Sequence, residues 1–261
     1  MITFITPTGD RPIALKLCAE FVTSQITDEK IQWIIADDSI KKNSESYSQQ
    51  LDIIKTCQEG NVDLLHITRQ PKPEEMKPGN GAMSLAQNLI EAIPHVEGDR
   101  VLIFEDDDWY SPHRTAIHLK WLETCDIVGP IWQPYYNIEQ MSAKVFKSRG
   151  SSLCSTSFRP HLLPLLKDTC ESCYRRNLKG IDAGFWSLAQ RSGKYRSFIS
   201  ESDIYYCVGI KRLPGRTGIG VGHKGHNFEP DLNAKRLRQW VGETWANRYL
   251  EIRNAVFGNK S

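Results

Sequence analysis

What this sequence lacks narrows it first. No apolar run approaches the ~20 residues that a membrane-spanning helix requires. The opening residues, MITFITPTGDRP, have neither a basic n-region nor a long apolar h-region, and the expectation is a cytoplasmic protein. The seven cysteines are odd in number and irregularly spaced, which argues against a disulfide scaffold and suits reduced thiols. Cys170 and Cys173 form a lone C-x-x-C without the second ligand pair of a recognisable zinc pattern. No internal repeat, coiled coil or low-complexity tail is present. What remains, 261 residues at 40% hydrophobic and 25% charged, has the composition of an ordinary globular protein of one large domain or two small ones.

The net charge of +2 conceals an asymmetry. Residues 1–149 hold 15 Lys/Arg against 22 Asp/Glu, or −7, and residues 150–261 hold 18 against 9, or +9. Such a split suggests that one end handles cations while the other meets an anionic partner. Arg175, Arg176, Arg212, Arg216, Lys224, Lys235, Arg236 and Arg238 could track phosphates, and Trp132, Tyr135 and Tyr136 could stack on a sugar or a base.

Periodicity organises the first half into alternating strands and helices. ITFIT is a short buried strand, and Pro12 opens a helix with Leu15, Cys18, Phe21 and Val22 on one face. IQWIIADDS and VDLLHIT are further strands. GAMSLAQNLIEAI carries a 3.6-residue stripe (Ala82, Leu85, Ala86, Leu89, Ile90, Ile93) and leads into the strand RVLIF. Residues 69–81, rich in Pro, Gly and charge, are a loop. This β-α-β-α-β order predicts an α/β domain with a mainly parallel sheet. Later, Ile127 and Val128 begin a strand that runs into aromatic, turn-rich sequence, and SLCSTSF resembles another strand. GIDAGFWSLAQRSG is a helix stopped by Gly193, and LPGRTGIGVGHKGHNF is a glycine-rich loop. A final helix over about 234–257 carries Leu237, Val241, Trp245, Tyr249, Ile252 and Val256 on one stripe. The expected division is 1–126, 127–232 and a helical C-terminal extension, 233–261.

One stretch carries chemistry. In RVLIFEDDDWYSP, an apolar strand runs into Glu105, Asp106, Asp107 and Asp108. Ligands of parallel α/β sheets gather at the carboxyl ends of strands, and Asp37 and Asp38 fall at another such end. Carboxylates crowded there are better accommodated with a divalent cation between them, and oxygen donors suit Mg²⁺ or Mn²⁺.

Taken in order, four segments resemble those of GT-A glycosyltransferases of the family 2 type: ITFITPTGDRP, the first strand with its Pro-Thr turn and Arg; IIADDS, the base-binding strand end; VLIFEDDDWYSP, the D-x-D metal strand; and LKGIDAGFWSLAQRSGKY, the G-x-D helix start. The resemblance spans most of residues 1–195. It implies a GT-A, Rossmann-like mixed sheet and a metal-dependent enzyme moving a sugar from a nucleotide donor, of UDP type, to an acceptor hydroxyl. It implies that Thr6, Pro7 and Asp10 line base and ribose, that Asp38 accepts the pyrimidine N3–H, and that Glu105 and Asp107 occupy the first and third motif positions as metal ligands. Asp106 stands beside them, Asp108 braces the strand end, and His223 or His226 adds a late-loop ligand. Asp182 is the general base of an inverting reaction. Where the family often has Arg-Asn, this chain has Gln87-Asn88, so a donor phosphate contact falls to Lys77 or Arg69. Ile181 stands where Glu is common. The acceptor is a saccharide or a nucleic acid, hydroxymethylated DNA bases being one form. A nucleotidyltransferase and a non-catalytic sugar- or DNA-binding protein are the other classes, and TPTGDRP is a poor match to the phosphate loop of the former.

Overall fold

The computed structural model describes residues 1–40, 61–77, 80–147, 150–192, 195–198, 205–216 and 224–258. The first half follows the expected alternation: β1 (Ile2–Thr8), α1 (Pro12–Thr23), β2 (Ile31–Asp37), β3 (Val62–Thr68), α2 (Gly81–Ala92) and β4 (Val101–Ile103). β1 pairs in parallel with both β2 and β4, and β2 with β3. Every residue of β1, β2 and β4 is buried, as befits strands covered on both faces. Alternation divides them between two cores. Ile2, Phe4, Trp33, Ile35 and Leu102 share one with α1, while Ile5, Ile34, Ala36, Val101 and Ile103 share the other with α2. Phe4 and Phe104 stack at 4.4 Å within the first.

After β4 the chain makes β5 (Trp109–Tyr110), α3 (Arg114–Leu122), β6 (Ile127–Pro130), β7 (Trp132–Asn137), β8 (Ser142–Lys147) and β9 (Ser157–Phe158). There follow α4 (Leu163–Arg176), α5 (Ile181–Ser192), β10 (Tyr195–Phe198), β11 (Cys207–Lys211), β12 (Glu229–Pro230), α6 (Lys235–Val241) and α7 (Glu243–Phe257). The large sheet has the order β10-β6-β9-β4-β1-β2-β3, and β9 is antiparallel to both its neighbours. A second sheet, β12-β8-β7-β11-β5, lies beside it. Segments before and after residue 127 thus share one sheet.

Several elements differ from the sequence expectation. The aromatic stretch after β6 is no loose turn region but the antiparallel hairpin β7–β8, closed through Met141 at φ 49°. Only the last two residues of SLCSTSF are strand, because Leu153–Ser155 first make a 3₁₀ turn. Helices α3 and α4 have no counterpart in the periodicity reading. The single final helix is two, broken at Gly242, whose φ of 80° and ψ of 162° are closed to residues with a side chain. Leu237, Val241 and Tyr249 of the expected stripe are buried, but Val256 is exposed. Helix α7 returns against α1, Trp245 meeting Phe21 at 4.5 Å and Arg248 pairing with Glu20. No described helix is long and apolar enough to cross a membrane.

A Cβ at Gly242 would touch nothing within 4 Å, so any penalty there is one of backbone conformation alone. Gly242→Ala is expected to destabilise the fold by about 1–3 kcal/mol, measured by urea unfolding. An unchanged midpoint would show that the break needs no glycine.

Candidate active site

Three strand ends of the large sheet converge. β1 ends in Thr8-Gly9-Asp10-Arg11, β2 in Asp37-Asp38, and β4 in Phe104 followed by the four carboxylates. Asp106 and Asp108 are almost wholly buried and Asp107 nearly so. Burial of so much negative charge is tolerated because cations reach in from two other segments. Arg11 donates to Asp106 at 2.9 Å and lies 3.4 Å from Asp107, while the Thr8 hydroxyl donates to the other Asp106 oxygen at 2.6 Å. From the end of β11, Lys211 Nζ donates to Asp108 at 2.6 Å and sits 3.5 Å from Asp107, and the Ile210 N–H also donates to Asp108. Burial alone would lower the pKa of Lys211, but the charges of Asp107 and Asp108 outweigh it and raise it. Asp108 braces the strand end, as the sequence reading allowed.

Glu105 is the member left over. Its side chain makes no hydrogen bond or ion pair among the described residues. Burial and the charge of Asp108 push its carboxyl up to about 8, with Asp107 and Asp182 adding to the effect and Lys211 opposing it. With all four carboxylates ionised, as a bound cation would favour, Arg11 and Lys211 leave two negative charges, the complement of one divalent ion. The donors are oxygens, matching Mg²⁺ or Mn²⁺. The residues therefore fit such an ion.

Asp182, the second residue of α5, is half-buried beside this cluster, close enough for its charge to act on Glu105. Its Oδ1 accepts the Ala183 N–H at 2.9 Å. Burial raises its pKa against the pull of that bond. Gly180, at φ 109°, turns the chain just before it.

The base side is more closed than the sequence suggested. Asp38 is fully buried. One of its oxygens receives Arg69 at 3.1 Å and the Ser84 hydroxyl, and the other receives Arg216. Arg69 also donates to Asn88 Oδ1 at 2.5 Å and lies 2.6 Å from Glu75. Asn88 in turn donates to the Thr8 carbonyl. Ser84 and Asn88 are the two polar residues on the buried side of α2, and they link the sheet end to Arg69. Gly9 packs so tightly here that a Cβ would meet Arg216 and Asp38. Asp10 is half-buried in the turn at φ 54°, its N–H donating to Ser39 at 2.8 Å. Pro7 is buried in β1.

Three expectations change. The Thr6 side chain does not line a cleft: it is fully buried, and its hydroxyl accepts the Trp33 indole N–H at 2.9 Å. Lys77 is exposed, and Arg69 is taken up by Asp38, Asn88 and Glu75. His226 is exposed in the turn before β12, at the far edge of the second sheet from β5, and joins no group of metal-capable side chains among the described residues. His223 lies outside the described residues. Arg11 and Lys211 were missed as site residues. Arg11 was visible as the arginine of the first motif, and Lys211 as the lone charge closing an apolar strand, CVGIK. Of the eight basic residues named for an anionic partner, four are paired: Arg212 with Glu139, Arg216 with Asp38, Arg236 with Glu229 and Arg238 with Glu243. Tyr136 is core, while Tyr135 and Trp132 remain partly open.

No protein-family model and no curated protein matches the chain. Solved structures do match it in shape. TarS of S. aureus superposes with a TM-score of 0.56 at 14% identity over 80% of this chain, which spans only 36% of that protein. PcManGT, a mannosyltransferase from Pyrobaculum calidifontis solved with GDP-Man and Mn²⁺, gives 0.53 at 14% over 97% of this chain and 73% of its own. A shorter TarS, residues 1–349 with UDP-GlcNAc, gives 0.51 at 15% over 99% and 73%. At these identities the likeness is one of fold, and the fold is the mixed α/β GT-A arrangement of nucleotide-sugar glycosyltransferases.

Between its ordinary value of 4.5 and about 8, Glu105 holds a proton in the folded chain that it gives up when unfolded. Raising the pH through that window therefore removes stability. In EDTA, Tm is expected to fall as pH rises from about 5 to 8, with Glu105→Gln flattening the decline and Mn²⁺ restoring Tm at the alkaline end. A Tm in EDTA that is flat across this range would contradict the assignment.

Proposed function

We propose that the chain is a metal-dependent glycosyltransferase that moves a sugar from a nucleotide donor, of UDP type, to an acceptor hydroxyl with inversion. The observation that carries this reading is the meeting of Asp182, at a helix start, with an acidic strand end two charges short of neutrality, on a GT-A sheet. In this reading residues 1–126 hold donor and metal, 127–232 form the acceptor side, and 233–261 brace the fold. A divalent ion held by Glu105 and Asp107 would offset the charge that develops on the departing diphosphate.

The protein's own groups do the rest. Asp182 takes the proton from the acceptor hydroxyl as that oxygen attacks the anomeric carbon. Its position at a half-buried helix start, with a raised pKa, makes it a stronger base than an exposed aspartate. Arg11 and Lys211 hold Asp106, Asp107 and Asp108 in place, so Asp107 need not reorganise during reaction. Asp38 faces the base through a shell of Arg69, Ser84 and Arg216, so a uracil N3–H would compete with Arg216 for the same oxygen. Four of the eight basic residues that could meet an anionic partner, Arg212, Arg216, Arg236 and Arg238, already pair with carboxylates, so a saccharide acceptor is the first choice in this reading and DNA the second.

Nucleoside diphosphate release from a panel of sugar nucleotides, with Mn²⁺ or EDTA, tests the reaction class. Release that needs Mn²⁺ and rises with saccharides is expected, and Asp107→Ala should abolish the Mn²⁺ dependence. A rise specific to hydroxymethylcytosine-containing DNA would move the acceptor to nucleic acid, and no release with any donor would sink the reading. Asp182→Asn is expected to lower kcat about 10²–10⁴-fold with donor Kd nearly unchanged. In the wild type, kcat/KM should fall on the acid side with an inflection above the ordinary aspartate range, since protonated Asp182 is inactive. An unaltered kcat in Asp182→Asn would remove it as the base.

A further inference from the structure

Behind the acidic strand end lies a second group that the glycosyl-transfer reading leaves unused. Cys154, in the 3₁₀ turn before β9, and Cys207, at the start of β11, place their sulfurs 3.6 Å apart. Both are buried and free. Together with a carboxylate oxygen of Asp108, their ligand atoms all lie within 4.8 Å of one another, the one such group among the described residues. Asp108 is 1% exposed and uses Oδ1 for Lys211 and the Ile210 N–H, its Oδ2 is buried, and the Cys154 thiol lies within hydrogen-bonding reach of the carboxylate. A buried carboxylate oxygen and two sulfurs gathered this closely are the donor set of a thiophilic cation.

The sulfur spacing discriminates between occupants. Two thiolates on a tetrahedral zinc ion, each at about 2.3 Å, stand roughly 3.7–3.8 Å apart, which is the observed separation within about 0.2 Å. A disulfide would need the sulfurs to approach to about 2.05 Å. We propose that Cys154, Cys207 and Asp108 form a structural site for a thiophilic divalent cation of the zinc class, separate from the oxygen-lined site at Glu105 and Asp107. Binding releases the two thiol protons. Two thiolates, one carboxylate, Lys211 and the ion then sum to zero charge. Ser152, whose Oγ is 3.1 Å from Cys154 Sγ, orients that sulfur from behind. Such an ion ties β11 to the turn before β9 and to the strand end of β4, three segments far apart in the sequence.

The test titrates the reduced, metal-free full-length chain with Cd²⁺, reading the ultraviolet sulfur-to-cadmium charge-transfer band. One equivalent should give the band, Zn²⁺ should displace it, and Zn²⁺ should raise Tm. Cys154→Ser and Cys207→Ser should each remove the band, Asp108→Asn should weaken binding about 10-fold or more, and a Cys170→Ser/Cys173→Ser double variant should keep it. Alkylation of the wild type by iodoacetamide, mapped by mass spectrometry, gives a readout that does not depend on variants folding. Zn²⁺ protection confined to Cys154 and Cys207 supports the site. Absence of the band, its persistence in both single variants, or Zn²⁺ protection elsewhere would overturn it.

Discussion

The arrangement rests on one electrostatic constraint: Asp106, Asp107 and Asp108 are buried side by side, and Arg11 and Lys211 are the described cations that make that tolerable. Each cation comes from a different segment, one from the turn after β1 and one from the end of β11. Removing either would leave buried carboxylates uncompensated, a cost of several kcal/mol. The constraint therefore ties the early half of the sheet to the late half, and it explains why a strand apolar on both faces can end in four acids. Their charge is largely answered within the protein, and the unanswered remainder is concentrated on Glu105.

The same logic extends across the cleft. Asp38 sits under Arg69 and Arg216, and Arg216 comes from the loop that follows β11, as Lys211 comes from its end. Arg11 also donates through Nε to the Arg216 carbonyl at 2.6 Å. Two acidic strand ends are thus served by one stretch of late chain, residues 210–216. A change in that stretch reaches both.

What could be read from the sequence follows the range of the physics involved. The first four strands, α1 and α2 were legible because each carries its own hydrophobic period, and the acidic run and Asp182 were legible because strand ends and helix starts are where such groups act. The partners of Lys211 and Arg216 were not, because each meets its carboxylate across a hundred or more positions of chain. The hairpin β7–β8 was hidden by Pro134 and by a turn that Met141 makes in the left-handed region. The break in the final helix was hidden because Gly242 interrupts the backbone without interrupting the apolar stripe. Thr6 was misjudged because its hydroxyl is held in the core by the Trp33 indole, a partner 27 residues away.

β9 has a consequence for how the chain reaches this state. It is two residues long, yet Phe158 faces Val101 on one side and Ile127 on the other, and among the described residues it is the one reversed strand of the large sheet. Until it arrives, β4 ends the first four-stranded ribbon with an open, fully apolar edge. A chain still being synthesised, or held up before residue 158, presents that edge to its neighbours. Unpaired strand edges are the sites at which incomplete chains associate. The short reversed strand is therefore the step that closes the sheet against aggregation as well as the joint between its two halves.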